Sequence, residues 1–154
     1  MFFADPVAAF ANIASALCPQ GRLALLVWQR RERNEWALTI DAAVGEGAPL
    51  PAPPGADPFS LGDAEATTAI LQRAGFAELR FEDVHEPVLY GHDIAAALEF
   101  VRGFQNVSAA LASMSSSDAT RAVERLREML AAHSSDDQGV ALGSRSWLIT
   151  GRRR

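Results

Sequence analysis

Leu17-Cys18-Pro19-Gln20-Gly21-Arg22-Leu23-Ala24-Leu25-Leu26-Val27-Trp28 decides how this chain folds. Its first residues close a helix, Pro19-Gln20-Gly21 turns, and Leu23 to Trp28 is an unbroken apolar run. A run that short and that apolar predicts a strand inside a sheet, with neighbours on both sides and cover on both faces. A tight helix-to-strand turn of this kind belongs to α/β layering. Upstream, Asp5 is placed to cap a helix over 6–17, and Pro6 takes its first position, where a missing N–H costs nothing. Val7, Phe10, Ile13 and Leu17 recur at helical spacing and form its apolar face. The chain opens directly into this helix, with no strand before it.

Downstream, 29–34 reads as a polar, Arg-rich loop and 36–44 as a short helix. Residues 45–58 hold most of the prolines and read as an irregular surface loop. Asp63 caps a helix over 64–74, with Ile70, Leu71 and Ala74 inward and Gly75 as its stop. Ala77, Leu79 and Phe81 alternate with Glu78, Arg80 and Glu82, as in a strand with one apolar face. Asp83-Val84 breaks that alternation and predicts a bulge, and the strand is expected to continue over 84–90 as an edge past Pro87. Asp93 caps a helix reaching 104, 105–114 reads as helical, and Ser115-Ser116-Ser117 forms a loop and cap. The most regular helix covers 118–133, with Val123, Leu126, Met129 and Leu130 inward. Residues 134–138 read as a turn, and 140–142 and 147–150 as short strands.

The chain has 154 residues, 49% of them hydrophobic, enough for one compact core. Its net charge is −5, and no basic stripe runs along it, which argues against a nucleic-acid partner. Arg152-Arg153-Arg154 reads as a solvated tail in preference to a phosphate-binding patch. The single cysteine, Cys18, excludes an internal disulfide and suits a reducing compartment. It is expected to be a small buried or half-buried thiol. No apolar run is long enough for a bilayer and none resembles a signal peptide, so the chain reads as cytoplasmic, with no membrane partner.

Four stretches together resemble a known family. Met1-Phe2-Phe3-Ala4-Asp5-Pro6-Val7-Ala8-Ala9-Phe10 and the following Leu17-Cys18-Pro19-Gln20-Gly21-Arg22-Leu23 resemble "hFxDPxxAhxxhxxxLxPGG" and "LxPGGRL", with Gln20 in place of a glycine. Leu71-Gln72-Arg73-Ala74-Gly75-Phe76 resembles "LxxAGF", and Trp147-Leu148-Ile149-Thr150-Gly151-Arg152 resembles a closing strand. In this order they resemble the C-terminal half of class I S-adenosylmethionine-dependent methyltransferases, the ubiquinone/menaquinone-type bacterial subgroup in particular. The resemblance implies an α/β fold, a partial Rossmann-like methyltransferase domain over 1–154. Its mixed sheet would hold strands equivalent to five, seven and six, seven lying antiparallel between the others. Residues 93–134 would be a helical insert or lid.

The resemblance also implies S-adenosyl-L-methionine as cofactor and a small-molecule methyl acceptor. The family holds that cofactor with a glycine-rich loop after its first strand and an acidic residue after its second. Here no G-x-G follows an apolar strand, and Gly45-Glu46-Gly47 lies in the Pro-rich segment. The chain is therefore expected to be a truncated family member, inactive alone and completed by an N-terminal half. Two alternatives stand beside this one. One is a non-catalytic remnant that dimerises over a bare strand edge. The other is a binder of small apolar ligands that uses the helical insert.

Methyl transfer from a sulfonium needs alignment more than strong acid–base groups. By resemblance, Phe2 and Phe3 fall where the cofactor passes, and Trp28, Gln29 and Trp36 fall where the acceptor sits. Aromatic rings there would shape an apolar site or meet the sulfonium by cation–π contact. The competing reading makes Trp28 and Trp36 core or interface residues. His85, His92 and His133 are scattered and read as ordinary polar positions, and no ligand cluster points to a metal.

Overall fold

The computed structural model describes residues 3–48, 50–51 and 57–154. In chain order the elements are α1 (Pro6–Ala16), β1 (Arg22–Trp28), α2 (Glu35–Gly45), α3 (Ala64–Arg73), β2 (Phe76–Val84), β3 (Val88–Gly91), α4 (Ile94–Arg102), α5 (Gln105–Ser113), α6 (Ser116–Ala132), β4 (Ser134–Ser135), β5 (Gly139–Leu142) and β6 (Ser146–Arg153). They divide into two compact units. The first takes Met1–Arg33, Pro54–His85 and Arg145–Arg154, and the second takes Asn34–Pro53 and Glu86–Ser144.

The first unit is built on a sheet of order β1-β6-β2, with β6 antiparallel to both neighbours. Leu25, Ile149 and Phe81 lie side by side across it. Helices α1 and α3 contribute to the core on this face, where Phe10, Leu71, Phe76 and Ile149 are buried. Burying side chains of this size contributes about 1.5–3 kcal/mol each. Asp5 caps α1 by accepting the Ala8 N–H at 3.0 Å, and Asp63 caps α3 by accepting the Ala66 N–H at 2.8 Å.

Several expectations change here. β1 is an edge strand among the described residues, because β6 is its one neighbour. Leu23 and Val27 are buried, but Leu26 is 62% exposed, so the apolar run is covered on one face and not on both. Ile13 lies at the flank of the α1 stripe: Phe10 and Ala14 stack one turn apart and Ile13 turns outward. Cys18 is exposed, because it follows the helix into the turn. The bulge falls between Ala77 and Arg80, where Glu78 adopts a left-handed φ of 52°, while Asp83 and Val84 stay in register with Trp147 and Ser146. β2 ends at Val84, and the residues past Pro87 form β3 in another sheet.

Nor is the Arg-rich end a solvated tail, since Arg152 and Arg153 are part of β6 and half-buried. The Arg153 guanidinium donates to the Leu17 carbonyl, and the Arg153 and Arg154 N–H groups donate to the carbonyls of Gly21 and Gly75, each at 2.9 Å.

The second unit joins α2 and α4–α6 to a small sheet of order β3-β5-β4. Val44, Val101, Val107, Leu126, Leu130 and Leu142 are fully buried in its core. Leu126 and Leu130 come from the inward stripe expected of the long helix, which starts at a Ser115 cap whose hydroxyl accepts the Asp118 N–H at 3.2 Å. Ser134 and Ser135 form the short strand β4, pairing with Val140 and Gly139, where a turn was expected. No described helix is long and apolar enough to cross a membrane.

Candidate functional site

In the first unit the site expected at the carboxyl end of β1 contains a closed polar network. Gln29 is 2% exposed. Its Nε2 donates to Asp83 Oδ1 at 2.7 Å and to the Ser146 carbonyl at 3.1 Å, and its backbone N–H donates to the Arg145 carbonyl at 3.0 Å. Arg145 Nη1 donates to the other Asp83 oxygen at 2.6 Å. One amide thus ties together the ends of three strands. Both of its N–H donors are engaged, and binding an acceptor through them would break a buried bond. Trp28 is half-buried opposite Ser146. Phe3 is 45% exposed and meets Phe10 edge-on, with ring centres 5.7 Å apart. Phe2 lies outside the described residues.

Trp36 belongs to the second unit. Its indole Nε1–H donates to Asn34 Oδ1 at 3.1 Å, and its ring meets Phe104 edge-on at 6.4 Å. It packs against that unit's core. The structure therefore groups Phe3, Trp28 and Gln29 in one unit and sets Trp36 in the other.

Asp83, Arg145 and Ser146 were not singled out from the sequence. A signal existed: Asp83 breaks the alternation of its strand, and the cause is this polar tie and not a bulge. A second network is also non-local. Glu35 Oε2 accepts the Gly143 N–H at 2.8 Å, while Oε1 lies 3.4 Å from His133 Nε2. His133 Nδ1 is 2.8 Å from the Met129 carbonyl. His92 Nε2 approaches Asp93 Oδ2 at 3.3 Å, but both groups stand mostly in solvent. The Ala96 N–H, together with His92, holds the Asp93 carboxyl below its ordinary value of 3.8. Burial among Phe100 and Phe104 holds the Tyr90 hydroxyl well above the usual phenol range. Among the described residues no group of acidic, His or Cys side chains is arranged to hold a metal.

No protein-family model matches the chain, and no curated protein matches its sequence. Among solved structures, the YcgJ protein of Bacillus subtilis aligns with 99% of this chain and 59% of its own, at a TM-score of 0.51 and 15% identity. A "putative methyltransferase" (BH2331) of Bacillus halodurans C-125 aligns with 98% of this chain and 59% of its own, at a TM-score of 0.47 and 12% identity. The chain spans about three fifths of the length of these structures. Its likeness to YcgJ is a likeness of fold.

Proposed function

We propose that this chain is the acceptor-side part of a class I S-adenosylmethionine-dependent methyltransferase of the ubiquinone/menaquinone type, acting on a small molecule. The observation that carries the reading is the placement of β6, reversed between β1 and β2, which run parallel to each other. This is the arrangement that the sequence resemblance implies for strands five, seven and six. In open α/β sheets ligands sit beyond the carboxyl ends of the parallel strands, where β1 delivers Trp28 and Gln29.

In this reading Gln29 is a positioning residue that fixes the strand ends, and Trp28 and Phe3 offer apolar surface to the acceptor or sulfonium. The chain's residues supply no glycine-rich loop for the methionine moiety. The methyl donor would therefore be held by a first half that adds a strand to the outer edge of β1, an edge with no partner among the described residues.

A chimera tests this. The first half of a class I methyltransferase, through its fourth strand, is joined to Phe3 of this chain, and S-adenosylmethionine binding is measured by calorimetry. The expected result is saturable binding by the chimera, with S-adenosylhomocysteine released when acceptors are supplied. A folded chimera with no binding overturns the reading. A stable dimer of the 154-residue chain, with β1 edges protected from hydrogen exchange, would favour self-pairing instead.

A further inference from the structure

The other end of the first unit's sheet carries a group of charges that the proposed methyl transfer does not use. Arg22 and Arg152 are directly opposite each other, as are Ala24 and Thr150, and Arg80 faces Thr150 from the other side. Residues directly opposite share a face, and so do residues two apart on a strand. Arg22, Arg80, Thr150 and Arg152 therefore stand on one face. With Glu78 they line a cleft of about 420 Å³. Like charges set opposite each other in a sheet are destabilising, so this arrangement needs a reason.

Among the described residues that line the cleft the only carboxylate is Glu78, whose Oε2 is 3.3 Å from Arg152 Nε. Glu78 reaches it from the bulge, with a left-handed backbone that a non-glycine residue adopts at a cost. Arg152 also donates from Nη1 to the Gln20 carbonyl at 3.3 Å, which holds its guanidinium in place. Arg22 and Arg80 have no carboxylate partner among the described residues. Three guanidinium groups and one carboxylate leave the cleft positive in a chain of net charge −5.

We propose that this cleft binds the phosphate group of a small phosphorylated molecule. Guanidinium forks match phosphate oxygens in pairs, and an opposed arginine pair with a third arginine beside it places such forks around one anion. The Thr150 hydroxyl adds a donor. The small side chain of Ala24 leaves room in the cleft for the rest of the molecule. A nucleic-acid backbone would need a longer basic track than one cleft on an acidic chain. The site lies at the amino end of β1, opposite the end that carries Trp28, so it is independent of the proposed acceptor site.

Phosphate is titrated into the full 154-residue chain at constant ionic strength, and the arginine side-chain N–H resonances are followed by NMR. Glycerol 3-phosphate, acetate and phosphatidic acid vesicles form the other arms. The expected result is saturable shifts of Arg22, Arg80 and Arg152 with phosphate and with the monoester, and none with acetate. Arg80→Ala should weaken phosphate binding about tenfold, as loss of a charge-assisted contact does. Arg73→Ala, on α3, should leave it unchanged. Glu78→Gln should tighten binding by removing the competing carboxylate, an effect that a purely structural role for Glu78 would not produce. No saturation with either soluble phosphate, or equal binding by Arg80→Ala, overturns the proposal. Binding to vesicles alone would replace the small molecule with a lipid surface and overturn it too.

Discussion

Each unit ties down its own side of three of the four points where the chain passes from one unit to the other, those between Arg33 and Asn34, His85 and Glu86, and Ser144 and Arg145. The first unit does so with Gln29, Asp83, Arg145 and Ser146. The second uses Glu35 with Gly143, and Glu86, whose carbonyl accepts the Ser144 hydroxyl at 2.7 Å. The two ties differ in burial. The Gln29 amide is 2% exposed, while Glu35 and His133 side chains are 52% and 26% exposed. A buried donor left without its partner costs far more than a wet one, so the first tie should dominate.

The comparison is broken most forcefully in the two cores. Ile149→Ala in the first unit and Leu126→Ala in the second each empty a fully buried position and should cost about 2–5 kcal/mol. Native-state hydrogen exchange should show each loss mainly in its own unit. Equal loss of protection in both units would mean that they unfold as one.

Next in size is Gln29→Leu, which leaves Asp83 and the Ser146 carbonyl short of a donor and should cost about 1–3 kcal/mol in urea unfolding. Glu35→Gln should cost less than about 1 kcal/mol. The reverse order would refute the burial argument.

Tyr90 is the only tyrosine, so absorbance reports it alone. Its folded value is raised, so the stability it lends is complete below the unfolded phenol value and is lost as pH climbs above it. Phenolate should appear only together with loss of the second unit's structure. Normal ionisation in a folded chain would contradict its burial.

The smallest effect belongs to Asp93, whose folded value is lowered. The stability it contributes is present above the ordinary carboxyl value of 3.8 and fades as pH falls through the folded one. Asp93→Asn removes that contribution, so stability should fall slightly near neutrality, stay unchanged well below pH 3.8, and the acid limb of a pH–stability curve should flatten slightly.

Much of this fold was legible in the residues. Asp5, Asp63 and Asp93 announced three helices because a cap and an apolar stripe are local signals. β1 was legible as a strand, but its edge position depends on which partners are present, and periodicity does not reveal that. The site was less legible. Gln29 pairs with Asp83 and Ser146, and Glu35 with Gly143, across long stretches of chain. Arg152 gains its meaning from Arg22 and Arg80, which reach it only through strand pairing.

The central claim is that these residues form the acceptor side of a methyltransferase fold and leave the methyl donor's loop to another segment. Calorimetric titration of the 154-residue chain alone with S-adenosylmethionine tests it most directly. The account predicts no saturable heat from a chain that circular dichroism shows to be folded. Tight, stoichiometric binding would contradict it.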